Sequence, residues 1–180
     1  VTFAGGWGAP ERITLPALVS LDRHADPGVR HYSGVASYTT TVTVPAGLPA
    51  AGRRVELDLG VVAVMADVTL NGRRLGTLWH APYRLDVTSA LRPGDNVLKV
   101  DVATLWVNRQ IGDETLPEDS DRTPSGTLRS WPAWLQQGKP SPTGRFTFTS
   151  WRLWRKNSPL VEAGLVGPVK LEVVQRVVGP

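Results

Sequence analysis

Met65-Ala66-Asp67-Val68-Thr69-Leu70-Asn71-Gly72-Arg73-Arg74-Leu75-Gly76 is the stretch that decides the fold class. Ala66, Val68 and Leu70 share one parity, and Asp67 and Thr69 share the other. This is the period-two alternation of a strand with one dry face. Asn71-Gly72 follows at once, and both residues tolerate the positive φ that a two-residue hairpin turn demands. The return strand runs from Arg74 to Leu78. The same alternation recurs outward from this hairpin. Tyr38, Thr40, Val42 and Val44 alternate with Ser37, Thr39 and Thr41, and Pro45 stops that strand. Val55, Leu57 and Leu59 form another set, and Pro82 to Val87 reads as a further strand. Asn96 to Ala103 is the clearest, with Leu98, Val100 and Val102 against Lys99 and Asp101. Val169, Leu171 and Val173 repeat the pattern against Lys170 and Glu172, and Phe146 and Phe148 predict a strand just ahead of Trp151. No stretch holds a helical period. Many short strands with turn signals between them predict an all-β jelly-roll sandwich, as a single domain over residues 1–180 with no repeat and no linker.

The composition narrows the function. The hydrophobic fraction of 41% and charged fraction of 20% are those of a globular domain. No apolar run approaches the ~20 residues of a membrane span, so no membrane partner is expected. No signal-peptide pattern opens the chain, and its start at Val1 reads as a mature product or a piece of something longer. The absence of cysteine removes disulfides, thiolate metal sites and cysteine nucleophiles. The formal charge of +4 comes from arginines scattered among acids rather than gathered on one face, which argues against a nucleic-acid partner.

From about residue 112 to 144 the chain becomes a long loop rich in proline, serine and glycine. Loops beyond about 12–15 residues are usually functional or disordered. Trp131 and Trp134 lie within this one, so it is expected to fold back and pack. Its acids, Asp113, Glu114, Glu118, Asp119 and Asp121, read first as a solvated surface. They show no division into acid and base as glycoside hydrolysis needs, and no catalytic residue is assigned. No cofactor is expected, and a structural calcium ion among these oxygens is the alternative. Gly-x-Ser-x-Gly, Gly-x-Gly-x-x-Gly and phosphate-loop patterns are absent. His24, His31 and His80 have no metal spacing.

His31-Tyr32-Ser33-Gly34-Val35-Ala36-Ser37-Tyr38, the Met65–Gly76 hairpin and Pro93-Gly94-Asp95-Asn96-Val97-Leu98-Lys99-Val100 resemble the sugar-binding domains of glycoside hydrolase family 2. Three further stretches are more similar still to the C-terminal sandwich of family 106, the α-L-rhamnosidases. They are Gly76-Thr77-Leu78-Trp79-His80-Ala81-Pro82-Tyr83, Leu105-Trp106-Val107-Asn108-Arg109-Gln110-Ile111-Gly112-Asp113 and Gly164-Leu165-Val166-Gly167-Pro168-Val169. The resemblance implies a galactose-binding-like jelly roll attached to a catalytic barrel that lies outside this chain. It also implies an extracellular or periplasmic location.

Sugar recognition needs a flat ring for the apolar face of a pyranose and fixed polar groups for its hydroxyls. Trp79, His80, Tyr83 and Arg84 follow the central hairpin. Trp106, Asn108 and Arg109 follow the clearest strand, and Trp131 and Trp134 lie in the long loop. These nine are the candidate carbohydrate-binding residues, and Arg84 or Arg109 has the fork geometry to hold a uronic-acid carboxylate. The expected partners are an oligosaccharide or polysaccharide bearing rhamnose, galactose or uronic acid, and the catalytic domain of the parent enzyme. The alternative is structural. Trp79, Trp106, Trp151 and Trp154 equally suit plugging the sandwich ends or packing against the barrel, in which case the domain braces the enzyme and binds no sugar.

Overall fold

The computed structural model describes residues 1–5, 7–48 and 53–175. The expected domain of 1–180 also takes in residues 6, 49–52 and 176–180, which lie outside the described residues. Among the described residues ten strands form in chain order: β1 (Thr2–Phe3), β2 (Val35–Val44), β3 (Arg53–Asp58), β4 (Val61–Val62), β5 (Met65–Leu70), β6 (Arg73–Leu78), β7 (Arg84–Asp86), β8 (Gly94–Ala103), β9 (Leu165–Gly167) and β10 (Lys170–Gln175). Three short α-helices, also among the described residues, join them, α1 (Pro27–Arg30), α2 (Val107–Asp113) and α3 (Ala133–Gln136), with one 3₁₀ turn at Leu21–Arg23. One sheet has the order β1-β2-β8-β5-β6, a second β10-β3-β7, and β4 pairs with β9. Every ladder is antiparallel. This is an all-β sandwich of the galactose-binding-like type.

The register follows from the alternation. Ala36 and Tyr38 of β2 pair with Val102 and Val100 of β8, and Ala66, Val68 and Leu70 of β5 pair with Val102, Val100 and Leu98. One face therefore stacks these apolar residues into the core, which Val55, Leu57, Leu59 and Val87 close from the second sheet. Each Val or Leu among them contributes roughly 1.5–3 kcal/mol on burial. A one-residue slip would send the whole set to water. The opposite face is polar, with Asp67 accepting from Arg74, and Asp101 from Ser37 and Lys99.

Asn71 takes φ 52° and Gly72 φ 80°, the turn expected at the hairpin tip. Asn71 also donates through Nδ2 to Asn96 Oδ1 at 2.8 Å. Asn96 is fully buried, accepts from the backbone of Arg92 and donates to the carbonyls of Arg92 and Gly94. The Pro93-Gly94-Asp95-Asn96 turn is thus tied to the hairpin through a fully satisfied amide pair. Gly164 ends the return into β9. A Cβ there would lie 2.2 Å from the Tyr38 hydroxyl, which accepts from Leu165 N at 3.1 Å.

Two expectations need correction. Phe146 and Phe148 do not lie in a strand. Their period-two spacing is real, but the Phe146 and Thr147 amides donate to the Asp113 carboxylate instead of to a ladder. And the absence of helical period hid α2, whose buried face is largely polar.

Candidate functional site

Between β8 and β9 the chain builds a cap on the end of the larger sheet where β8 finishes. α2 anchors it at both ends. Asn108 donates through Nδ2 to Val161 O at 2.7 Å and accepts Val161 N at 2.9 Å, so one side chain closes the cap onto its own exit. Asp113 Oδ2 accepts from Phe146 N, Thr147 N and Thr147 Oγ1 at 2.7–3.0 Å. Its Oδ1 lies 3.1 Å from Arg109 Nε, a buried ion pair that is poorly aligned for a hydrogen bond, and neither atom has another partner among the described residues. The Arg109 guanidinium stacks on Phe146 at 4.8 Å. Burial pulls the Arg109 pKa down, against the opposing charge of Asp113. Gly112 lets this turn close in, since a Cβ would meet Arg109 Nη2 at 2.5 Å and His31 Cγ at 2.7 Å.

Of the loop acids expected to be solvated, Glu114 and Glu118 are instead knitted to arginines, whereas Asp121 is exposed and Asp119 accepts from Ser120 and Ser141. Arg145 donates to Glu114 at 2.9 Å and to the carbonyls of Pro117 and Leu116. Arg152 reaches Glu114 at 3.2 Å and also pairs with Glu118. Arg122 donates to Ser120 Oγ and to the carbonyls of Gly126 and Thr149, and lies over Phe148. Burial pushes the Glu118 carboxyl up, but Arg152, Arg145 and Arg122 outweigh it and hold it below the usual range. Among the described residues no group of three or more His, Asp or Glu side chains gathers as a metal ion would require.

Arg122, Arg145, Arg152, Phe148, Trp151 and Trp154 line a cleft of about 540 Å³ in this cap. Trp131 and Trp134 both pack on Phe148, at 5.7 and 5.8 Å between ring centroids. Trp134 is fixed by its indole N–H on Asp119 O at 2.9 Å, and Trp151 by its own on Ser125 O at 3.2 Å. Trp106 meets Trp7 edge-on at 5.0 Å. Four tryptophans are more than half exposed: Trp79 at 73%, Trp131 at 58%, Trp151 at 56% and Trp106 at 52%. Rings so open to water do not plug the sandwich ends.

The candidate residues divide into three groups. Trp79 and Trp106 stand at the same end of the larger sheet, where β6 and β8 finish with β5 between them, so about two strand spacings or ~10 Å separates their backbones. Tyr83 reaches this end through its hydroxyl on Val64 O, and His80 meets Trp79 edge-on at 4.6 Å. Trp131 and Trp134 lie on the cap. Asn108 and Arg109 belong to neither surface: both are buried in α2, and the amide of Asn108 is consumed by Val161. The carboxylate-fork expectation fails for both arginines, since Arg84 pairs with Asp58 and Glu172 while Arg109 is turned inward to Asp113. The sequence reading did not single out Phe148 or the Arg122, Arg145 and Arg152 set. The one signal pointing to them is the matched supply of acids and arginines across the loop.

The antiparallel sandwich with a cap on one end defines the class of galactose-binding-like domains. Residues 29–132 match the model of the family described as glycosyl hydrolase 2 galactose-binding domain-like, and the chain belongs to that family. It is 44% identical to a putative beta-glucuronidase from Formosa agariphila, over 97% of this chain but 16% of that protein. Among solved structures it is similar to a rhamnosidase from Novosphingobium sp. PP1Y, with TM-score 0.74, 38% identity and coverage of 94% of this chain and 14% of that one. A Bifidobacterium dentium beta-glucuronidase complexed with coumarin-3-O-glucuronide follows at TM-score 0.56 and 29% identity, covering 92% of this chain and 26% of that one. The chain thus spans about a sixth of the curated relative it matches.

Proposed function

We propose that this chain is a non-catalytic accessory domain of a modular glycoside hydrolase, and that its capped end contacts saccharide. The observation that carries the reading is Trp151, more than half exposed on the wall of the cleft, together with Trp131, equally exposed and packed on the Phe148 ring that also lines it. A pyranose stacks on such rings, while Gln110 and Ser150 in the cleft lining offer hydrogen-bonding groups. The parent enzyme acts on rhamnosides or glucuronides. The rhamnoside side is supported by the rhamnosidase neighbour and the uronide side by the glucuronidase relatives, while the family that matches is glycosyl hydrolase 2 and not the expected family 106. Binding is weak, of the order of 1 mM or about −4 kcal/mol, and linkage to a catalytic body raises the effective concentration. Titration calorimetry with oligosaccharides bearing rhamnose, galactose or glucuronic acid tests this. At least one should bind, and Trp131→Ala with Trp151→Ala should abolish the heat. No heat from any sugar sinks the reading.

A bracing role is the second reading, favoured by a different observation. Leu105, Trp106 and Phe146 are exposed apolar side chains on the cap that do not line the cleft. Spread apolar surface marks a protein contact. If the domain only braces, Leu105→Ser with Trp106→Ser lowers the thermal midpoint of the parent enzyme, while the isolated domain shows no sugar binding to lose.

A further inference from the structure

The edges of the sandwich are unequal. The β6 edge carries Arg73 and Arg74 beside an irregularity in its pairing, β7 is only three residues long, and β10 carries Lys170 and Glu172. Charge, brevity and bulges are the usual devices that stop a sheet from adding another strand. β2 has none of them. Val35-Ala36-Ser37-Tyr38-Thr39-Thr40-Thr41-Val42-Thr43-Val44 contains no charge and no proline and is rich in β-branched residues. Its inner edge pairs with β8 along its whole length, but on the outer edge β1 covers only Ala36 and Ser37. From Thr39 to Val44, about 20 Å of strand at 3.3 Å per residue, the outer edge has no partner strand among the described residues.

The core is open beside this edge. Thr40 has the core-facing parity of Ala36 and Tyr38, yet it is exposed. A groove of about 650 Å³ runs there, lined by Val1, Thr39, Thr40, Leu98, Val100 and Leu165. Leu98 and Val169 also line a smaller space of about 140 Å³ next to Val42.

We propose that the Thr39–Val44 edge of β2 is a strand-acceptor site, occupied by backbone continuous with β1 and supplied by polypeptide joined to the nitrogen of Val1 in a longer protein. The register dictates the direction. Phe3 pairs with Ala36 and Thr2 with Ser37, so the same antiparallel ladder, extended past Val1, runs along Thr39 to Val44. Residues two and four places ahead of Val1 then fall opposite Thr40 and Val42 and point into the groove, where apolar side chains fit. Val1 N already donates to Ile13 O at 2.8 Å. Burial and the Arg12 guanidinium pull its ammonium below the usual amino-terminal range, a penalty that a peptide nitrogen making the same bond does not carry.

The test compares three forms of the chain by amide hydrogen exchange at residues 39–44: the chain itself, one extended at Val1 by (Val-Thr)4, and one extended by (Gly-Ser)4. The Val-Thr extension should slow the outward-facing amides of β2 at least ~10-fold and raise the thermal midpoint, while the Gly-Ser extension leaves both unchanged. Equal exchange in all three forms overturns the proposal. Protection that is already present in the unextended chain and rises with its concentration, together with a dimer in sedimentation, also overturns it, because the occupant is then a second copy. The readout involves no sugar, so it stands or falls independently of the saccharide contact.

Discussion

The sandwich and its cap are held together by opposite chemistry. In the sandwich, apolar residues at alternate positions meet across two sheets, and polar groups enter mainly at turns, as with Asn71 and Asn96. In the cap, from Thr104 to Glu162, the fixed points are polar: Asn108 on Val161, Asp113 on Phe146 and Thr147, and arginines on Glu114 and Glu118. Area-driven burial is spread over many residues, so losing one contact is tolerated. A cap closed by a few buried charges depends on each of them, because removing one partner strands the other in a low-dielectric place.

This contrast can be broken or sharpened by experiment. Asp113→Ala should have the largest effect, since it leaves the Arg109 cation unpaired and frees two backbone amides. A loss of about 3–5 kcal/mol is expected, seen as faster hydrogen exchange over residues 107–162 while β2 and β8 remain protected. Equal loosening of the strands would show that cap and sandwich are one cooperative unit. Asn96→Leu should come next, at about 2–3 kcal/mol. It acts on the sandwich and is read from the urea midpoint by far-UV circular dichroism. Tyr38→Phe should cost about 1 kcal/mol. Burial pushes the Tyr38 phenol up to about 12, partly offset by the hydrogen bond from Leu165 N. Its stabilisation is present below the ordinary tyrosine pKa and lost as pH rises towards 12, so ultraviolet titration should lose its phenol near 12 in the variant while Tyr32, also raised by burial, stays above the ordinary range. The smallest effect belongs to His31. Burial first, then the Arg109 charge, lowers its pKa below the usual histidine value. The unfolded chain therefore takes up the proton at higher pH, and stability falls as pH drops through about 6.5. His31→Gln should flatten the slope of thermal midpoint against pH between 7.5 and 5.5.

The same contrast governs what the sequence reveals. The Met65–Leu78 hairpin and the β8 alternation were legible because a half-buried strand writes its two faces into alternate residues. α2 was not, because Asn108, Arg109 and Asp113 are buried on a seven-residue helix, the reverse of the apolar stripe by which helices are recognised. Trp131 is exposed, as a ring on the long loop was expected to be, but Trp134 beside it is half-buried on Phe148 and Asp119 O, and Trp79 and Trp106 are open rather than plugging the sandwich ends. Arg84 and Arg109 were misjudged as ligand donors, because sequence shows a donor's type but not whether Asp58 or Asp113 has already claimed it. The strand edge at Thr39–Val44 shows its lack of protection in the sequence, but only the short reach of β1 shows that it is open.

The contact between Tyr38 and Leu165 joins residues 127 apart in the chain, and Ser20 with Ala163 joins residues 143 apart. Contacts this distant make a topology slow to form, on the millisecond-to-second scale. On a ribosome adding about 5–20 residues per second, the first strands wait many seconds before Gly164 and Leu165 emerge to seat against Tyr38. Throughout that delay the uncharged β2 segment is exposed to neighbouring nascent chains, so expression yield should depend on chaperone supply more than the finished domain's stability would suggest.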